Sequence, residues 1–337
     1  MKKLFLSLIA LVMATMSFAQ STLVATLTHG EEIKMFYGTY ALRDAHNAAE
    51  NGDIINLSTG AFQSVKITKA LTIRGAGSKE VGSTPTQIIE SPTPTYIINN
   101  FDIEIPNTVT DRLSFEGCEI SGVIYVQGTL SNAYFLKNRI QNVSCYGKIV
   151  NGHFVNTKIF QINLSDNSTA NFINCEVAGC NINANGTVAT FMNCNITPPY
   201  SNYGIGADLL RNAQLINCIL YNGDNYYSFK NLPSTSSAIN CVAVGKGSDY
   251  VFDNLPARQN CRSASLDIFH EEKYWLDLTD EAKATYLGND GTPVGMFGGM
   301  MPFDLTPTYP QITKMNVANK TTADGKLSVE IEVSATE

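Results

Sequence analysis

Six short windows recur along the middle of the chain with one form: FEGCEI (115–120), FLKNRI (135–140), FVNTKI (154–159), FINCEV (172–177), FMNCNI (191–196) and LINCIL (215–220). AINCVA (238–243) is a weaker seventh. Aligned on the fourth position, they place Cys118, Asn138, Thr157, Cys175, Cys194, Cys218 and Cys241 at spacings of 20, 19, 18, 19, 24 and 23 residues. A small residue recurs five places earlier, at Ala133, Gly152, Ala170, Ala189, Ala213 and Ser236, with Leu113 the exception. Helical repeats need roughly 33 residues or more, and leucine-rich repeats need regular Leu columns that are absent here. Inside each window the second, fourth and sixth positions alternate with the third and fifth, which is the period of a strand with one buried face. Gly and Asn punctuate the stretches between, as at Asn185-Gly186, and suit sharp corners. The pattern predicts a parallel β-helix, an all-β solenoid whose coils stack at about 4.8 Å and bury apolar surface only against their neighbours.

The fourth-position column then wants a small inward side chain. A free Cys behaves there as a small buried hydrophobe. In-register stacking points neighbouring Cβ vectors the same way, which is poor disulfide geometry. The column cysteines are therefore expected as thiols, with Cys145, Cys180 and Cys261 outside the column. Ser at Cys175 or Cys194 should cost more than Ala or Val, because a buried hydroxyl would lack a partner. The third position carries Asn156, Asn174, Asn193, Asn217 and Asn240, and stacked amides can hydrogen-bond along such a ladder.

Lys2 and Lys3 followed by LFLSLIALVMATM and Ser17-Phe18-Ala19 read as an export leader over 1–19, the mature chain starting at Gln20. Its apolar run is too short for a spanning helix, and no later segment offers the roughly 18 apolar residues that one needs. Export places the protein in the periplasm, on the outer surface or outside the cell. The net charge of −7 argues against nucleic acid as a partner, because such binding runs on Lys and Arg neutralising phosphates.

Residues 37–300 resemble the right-handed parallel β-helix proteins of the pectin-lyase-like superfamily. The stretch 37–77 is similar to that superfamily's entry. A short helix near Leu42–Glu50 covers an open strand edge, and a Gly52-Asp53 turn, a strand, a turn at Gly60 and the phrase LTIRGAG follow. The stretch 274–299 looks like the closing coil of secreted Bacteroidetes β-helix proteins. Residues 20–36 form an N-terminal strand segment and 301–310 a linker. Around Asp324-Gly325, 311–337 reads as a β-hairpin or a fragment of a β-sandwich module.

The superfamily's catalytic signatures are missing. Gly152-His153 is followed by Phe154, no Asp-Asp pair exists, and the four histidines are scattered. No cofactor is implied, and calcium, which the resemblance would allow, finds no supporting set of acids. Two features are candidate sites. From Ile120 to Gln161 there is no Asp or Glu, while Lys137, Arg139, Lys148, His153 and Lys158 are present. Glu119, Arg139, Lys158 and Glu176 share the fifth, outward position. They form either an exposed ion-pair ladder of small energetic value or a surface for acidic sugars with Arg139 or Lys158 as proton acceptor. The widened spacings imply loops carrying Tyr200, Tyr203, Tyr221, Tyr226 and Tyr227 with Asp208, Asp224 and Asn225, suited to glycan binding. The leading expectation is a non-catalytic glycan-binding protein whose partner is a polysaccharide. A divergent polysaccharide lyase or glycosidase acting on an acidic polysaccharide is the alternative, and a structural or adhesive surface module the third.

Overall fold

A computed structural model describes residues 23–78, 94–106, 109–182, 184–198, 210–223, 229, 232–270, 276–306, 308, 311–317, 325–326 and 329–334. The leader therefore lies outside the described residues. The chain winds into a parallel β-solenoid of about 9 turns. Two long sheets run its length. The first sheet holds the opening half of each window, from Ile54–Leu57 and Thr72–Arg74 through Ser114–Glu116, Tyr134–Leu136, Gly152–Val155, Thr169–Ile173, Val188–Met192, Ala213–Ile216 and Ser237–Ile239 to Ala257–Gln259. The second takes the closing half, from Gly60–Gln63 through Glu119–Val126, Arg139–Cys145, Lys158–Ile159, Glu176–Val177 and Ile219–Gly223 to Arg262–Ala264.

Registration is one repeat per coil. Phe115, Phe135, Phe154, Phe172 and Phe191 pair position for position along the first sheet. The last four rings stack at 4.7, 4.9 and 4.6 Å within 9° of parallel, matching the inter-strand spacing. Each such contact contributes about 0.5–1.5 kcal/mol beyond the area it buries.

The corner between the sheets explains the third position. Asn156, Asn174, Asn193, Asn217, Asn240 and Asn260 all have φ between 46° and 54°, with Lys137 at 54° and Gly117 at 61°. Asn enters this left-handed region more readily than other residues with a Cβ, so the backbone demands it before any amide ladder does. Amides do ladder at the far end, where Asn260 Nδ2 donates to Asn240 Oδ1 (3.1 Å) and Asn240 Nδ2 to Asn217 Oδ1 (3.5 Å). Asn260 also reveals an eighth window, RQNCRS (258–263), which puts Cys261 in the cysteine column rather than outside it. Arg258 stands where the other windows have an apolar residue, which hid the repeat.

The column itself is a hydrogen-bond ladder. Cys118 N–H donates to Asn138 Oδ1 (2.9 Å), and Asn138 Nδ2 donates back to Phe115 C=O (2.7 Å). One coil on, Asn138 N–H donates to Thr157 Oγ1 (3.4 Å) and Thr157 O–H to Phe135 C=O (3.0 Å). The Cys175, Cys194 and Cys218 thiols donate in the same way to Phe154, Phe172 and Phe191 C=O (3.2, 3.3 and 3.3 Å). Cys, Asn and Thr interchange because each is small and can both donate and accept. Cys118, Cys145, Cys175, Cys194, Cys218, Cys241 and Cys261 are all free. Burial pushes the Cys118 thiol up to about 12.

The segment after the last parallel strand is not a further coil. Residues 276–306 turn back along the outside of the solenoid. Leu276, Leu278, Ala282 and Val294 pack on Ile219, Val242 and Val244 of the second sheet and form a separate apolar cluster with Phe269. Helix α2 (Asp280–Thr285) sits in this lateral layer, capped where Thr279 Oγ1 accepts Ala282 N–H (3.2 Å). The corner amides of Asn217 and Asn174, with the strand residue Asn195 between them, grip the returning strap. Asn217 Nδ2 donates to Asn289 Oδ1, Asn195 Nδ2 to Leu276 C=O, and Asn174 Nδ2 to Met296 and Gly298 C=O. Lys137 Nζ holds its end through Asp304 Oδ2 (3.0 Å) and Thr306 C=O (2.7 Å). Beyond it, Gln311–Val317 and Val329–Ser334 pair antiparallel as a hairpin.

The other end is closed by a hairpin, Val24–His29 with Glu32–Tyr37, and by helix α1 (Ala41–Ala48). Lys69 Nζ reaches the carbonyls of His46, Asn47 and the C-cap Ala49 (2.7, 3.0 and 2.6 Å), at the end of α1 where intrahelical donors run out. His29 Nδ1 lies 2.7 Å from Asp53 Oδ1, and the hydrogen bond and charge of Asp53 raise the imidazole above its ordinary value. A group raised in the folded state stabilises fully below its unfolded pKa, and that stabilisation disappears as pH rises through the folded one. The melting temperature of the chain should therefore exceed that of His29→Gln at about pH 5–6, and the gap should close by about pH 8. A gap that widens with pH would refute the pairing.

Candidate functional site

The basic stretch between Ile120 and Gln161 does not form one surface. Lys137 is consumed by the strap. His153 faces outward on the first sheet beside Tyr134, their rings 6.3 Å apart, with the Arg112 guanidinium 5.0 Å from the Tyr134 ring. Arg139 and Lys158 begin neighbouring strands of the second sheet, in register with Glu119 on one side and Glu176 on the other. Arg139 pairs with Glu119, and Lys158 Nζ lies 2.8 Å from Glu176 Oε2. Both cations rest on the Phe160 ring, at 4.6 and 5.3 Å. The row is not the exposed ladder that the fifth position suggested. The Glu176 side chain is 2% exposed and that of Lys158 12%. Both cations are thus committed to carboxylates within the row rather than presented to a substrate.

Of the tyrosine loops, Tyr200, Tyr203, Asp208, Asp224, Asn225, Tyr226 and Tyr227 lie outside the described residues. Tyr221 is described, and it packs edge-on against Phe269 at 5.8 Å beside the lateral apolar cluster.

A different pair of aromatics is presented to solvent. Tyr125 and Tyr146, one coil apart, stack at 5.7 Å and 22°, and Tyr146 is 70% exposed. Two clefts flank this region. One of about 650 Å³ is lined by Glu104, Ile105, Pro106, Gly128, Thr129, Gly147 and Lys148. The other, of about 360 Å³, is lined by Ser64, Val65, Lys66, Asn100, Phe101, Asp102 and Tyr125. The Lys66–Glu104 ion pair joins the two, and Gln127 Nε2 donates to Asp102 Oδ1 (2.9 Å). Gly147 is required at the larger cleft, because a Cβ there would meet Gly128 O at 2.0 Å. Lys66 and Lys148 balance Asp102 and Glu104, so the walls mix apolar groups such as Ile105, Pro106, Val65 and Phe101 with charges that sum to zero. An apolar ring face beside walls of mixed polarity and no net charge suits the faces and hydroxyls of a sugar.

Sequence reasoning missed this pair for a geometric reason. The register sets Tyr125 opposite Ser144, not Tyr146, so the rings meet on the diagonal, two residues out of step. Among the described residues no group of three His, Cys, Asp or Glu side chains could hold a metal ion, and no helix is long and apolar enough to cross a membrane. No family model, no curated protein and no solved structure matches the chain, so the architecture is shown as a parallel β-solenoid and the superfamily resemblance rests on the phrases at 37–77 and 274–299.

Proposed function

We propose that the chain is an exported β-helix protein of the pectin-lyase-like kind that binds a neutral glycan across Tyr125 and Tyr146 without cleaving it. The observation that carries the reading is the exposed Tyr146 ring, stacked on Tyr125 beside two clefts without net charge. The engagement of Arg139 and Lys158 in ion pairs supports binding over elimination chemistry.

The purified chain is to be screened against neutral and acidic polysaccharides, read for binding and for new chain ends. Binding of a neutral glycan should change little with salt, since screening acts on charges. Tyr146→Ala should weaken it about tenfold, equivalent to about 1.4 kcal/mol. The melting temperature should stay put, because the ring is largely in solvent. A Tyr226→Ala, Tyr227→Ala double variant is the comparison. Loss of binding in that variant alone would move the site to the loops, and release of chain ends would replace binding by catalysis.

A further inference from the structure

The first sheet ends, on its N-terminal side, in a six-residue edge strand with one exposed apolar face. Among the described residues Glu32–Tyr37 is the outermost strand, paired on one side with Val24–His29 in unbroken register from Val24↔Tyr37 to His29↔Glu32. It has no Pro and no bulge to blunt the edge, and its two charged side chains, Glu32 and Lys34, lie 3.6 Å apart as a pair. Ile33, Met35 and Tyr37 share one face and are 65%, 58% and 61% exposed. Their backbone groups also point away from the sheet. Gly38 N–H donates to Leu23 O (3.0 Å), so the even-numbered residues turn their N–H and C=O toward the neighbouring strand and the odd-numbered ones turn theirs outward.

We propose that this edge pairs with the same edge of a second copy, forming an antiparallel two-fold dimer centred on Met35. Centring on Met35 sets Ile33 opposite the partner's Tyr37, twice, and Met35 opposite itself. Those are the three residues with outward-facing backbone groups, so six inter-strand hydrogen bonds form without disturbing the existing hairpin. The apolar face continues across the axis, with aromatic against β-branched side chains, a favourable cross-strand combination. On the opposite face Lys34 falls across from the partner's Phe36, where its stem covers the ring. The same patch thus complements itself, as an isologous interface requires. Any other extended peptide would need an apolar residue at every second position to do as well.

One strand edge buries less than the about 1,200 Å² at the low end of stable interfaces, so the dimer is weak, with a dissociation constant of about 10–100 μM. Sedimentation equilibrium of the purified chain, across concentrations spanning that range, should show a reversible monomer–dimer equilibrium. Met35→Lys sets two ammonium groups against each other on the axis and should weaken association by about a hundredfold or more. Met35→Leu keeps the apolar contact and should dimerise like the parent. Because the position is largely in solvent, both variants should melt with the parent. A chain that stays monomeric throughout, or a dimer indifferent to Met35→Lys, overturns the proposal.

Discussion

Glu176→Ala should destabilise the solenoid by about 3–5 kcal/mol, an effect of the size expected when one member of a buried ion pair is removed. The carboxylate it deletes is 2% exposed and sits 2.8 Å from Lys158 Nζ, itself only 12% exposed. Losing it leaves a partly buried ammonium facing Phe160. Had the pair stood in solvent, as the alternation of the repeat implied, the same change would be worth about 1 kcal/mol or less. The two accounts differ enough for a denaturant titration to separate them. Removing both charges together, in Lys158→Met with Glu176→Leu, should bring stability back to within about 1 kcal/mol of the parent, since a well-packed apolar pair of similar volume often replaces a buried ion pair without loss. Solenoids can unfold by parts, so midpoint and slope must be compared together. A loss below about 1 kcal/mol in Glu176→Ala would return the pair to the surface.

What conceals that pair is also what the sequence could not display. The coil length, the stacking and the small column were legible in the repeat. The inward Phe ladder was not. The alternation set the second position inside, whereas Phe172 and Phe191 at the first are fully buried and Met192 at the second is 39% exposed. The left-handed residue at the third position breaks the alternation at the corner. Stacking turns a local pattern into a spatial one, so seven windows sufficed. The lateral layer has no such periodicity. Lys137 reaches Thr306 across 169 residues and Asn217 reaches Asn289 across 72. No spacing in the chain announces either contact, and the stretch 274–299 looked like one more coil. The asparagines were noticed for the wrong property. Their amides bind the strap, but the positive φ of the corner selects them first. The candidate site was hidden differently. Tyr125 and Tyr146 meet diagonally, and a reading confined to equivalent positions in successive coils passes over them.

The column permits a sharper test, because its hydrogen bonds reverse the expectation that a buried hydroxyl at Cys175 or Cys194 would lack a partner. Asn138→Leu should cost about 3 kcal/mol: it strands the buried Cys118 N–H, removes the amide that donates to Phe115 C=O, and forces a branched side chain into a packed interior. Cys194→Val should cost about 1–3 kcal/mol, since Cys175 N–H loses its sulfur acceptor (3.5 Å) and Phe172 C=O its thiol donor. Cys194→Ser should be the mild substitution, within about 1 kcal/mol of the parent, because the hydroxyl inherits both partners. Thr157 already shows the arrangement, its hydroxyl donating to Phe135 C=O at 3.0 Å while accepting Asn138 N–H at 3.4 Å. A column that wanted only small apolar volume would give the opposite order, with Val mild and Ser severe. Denaturation midpoints of the three variants decide between them, and Val outperforming Ser at Cys194 would show that the ladder contributes packing and little else.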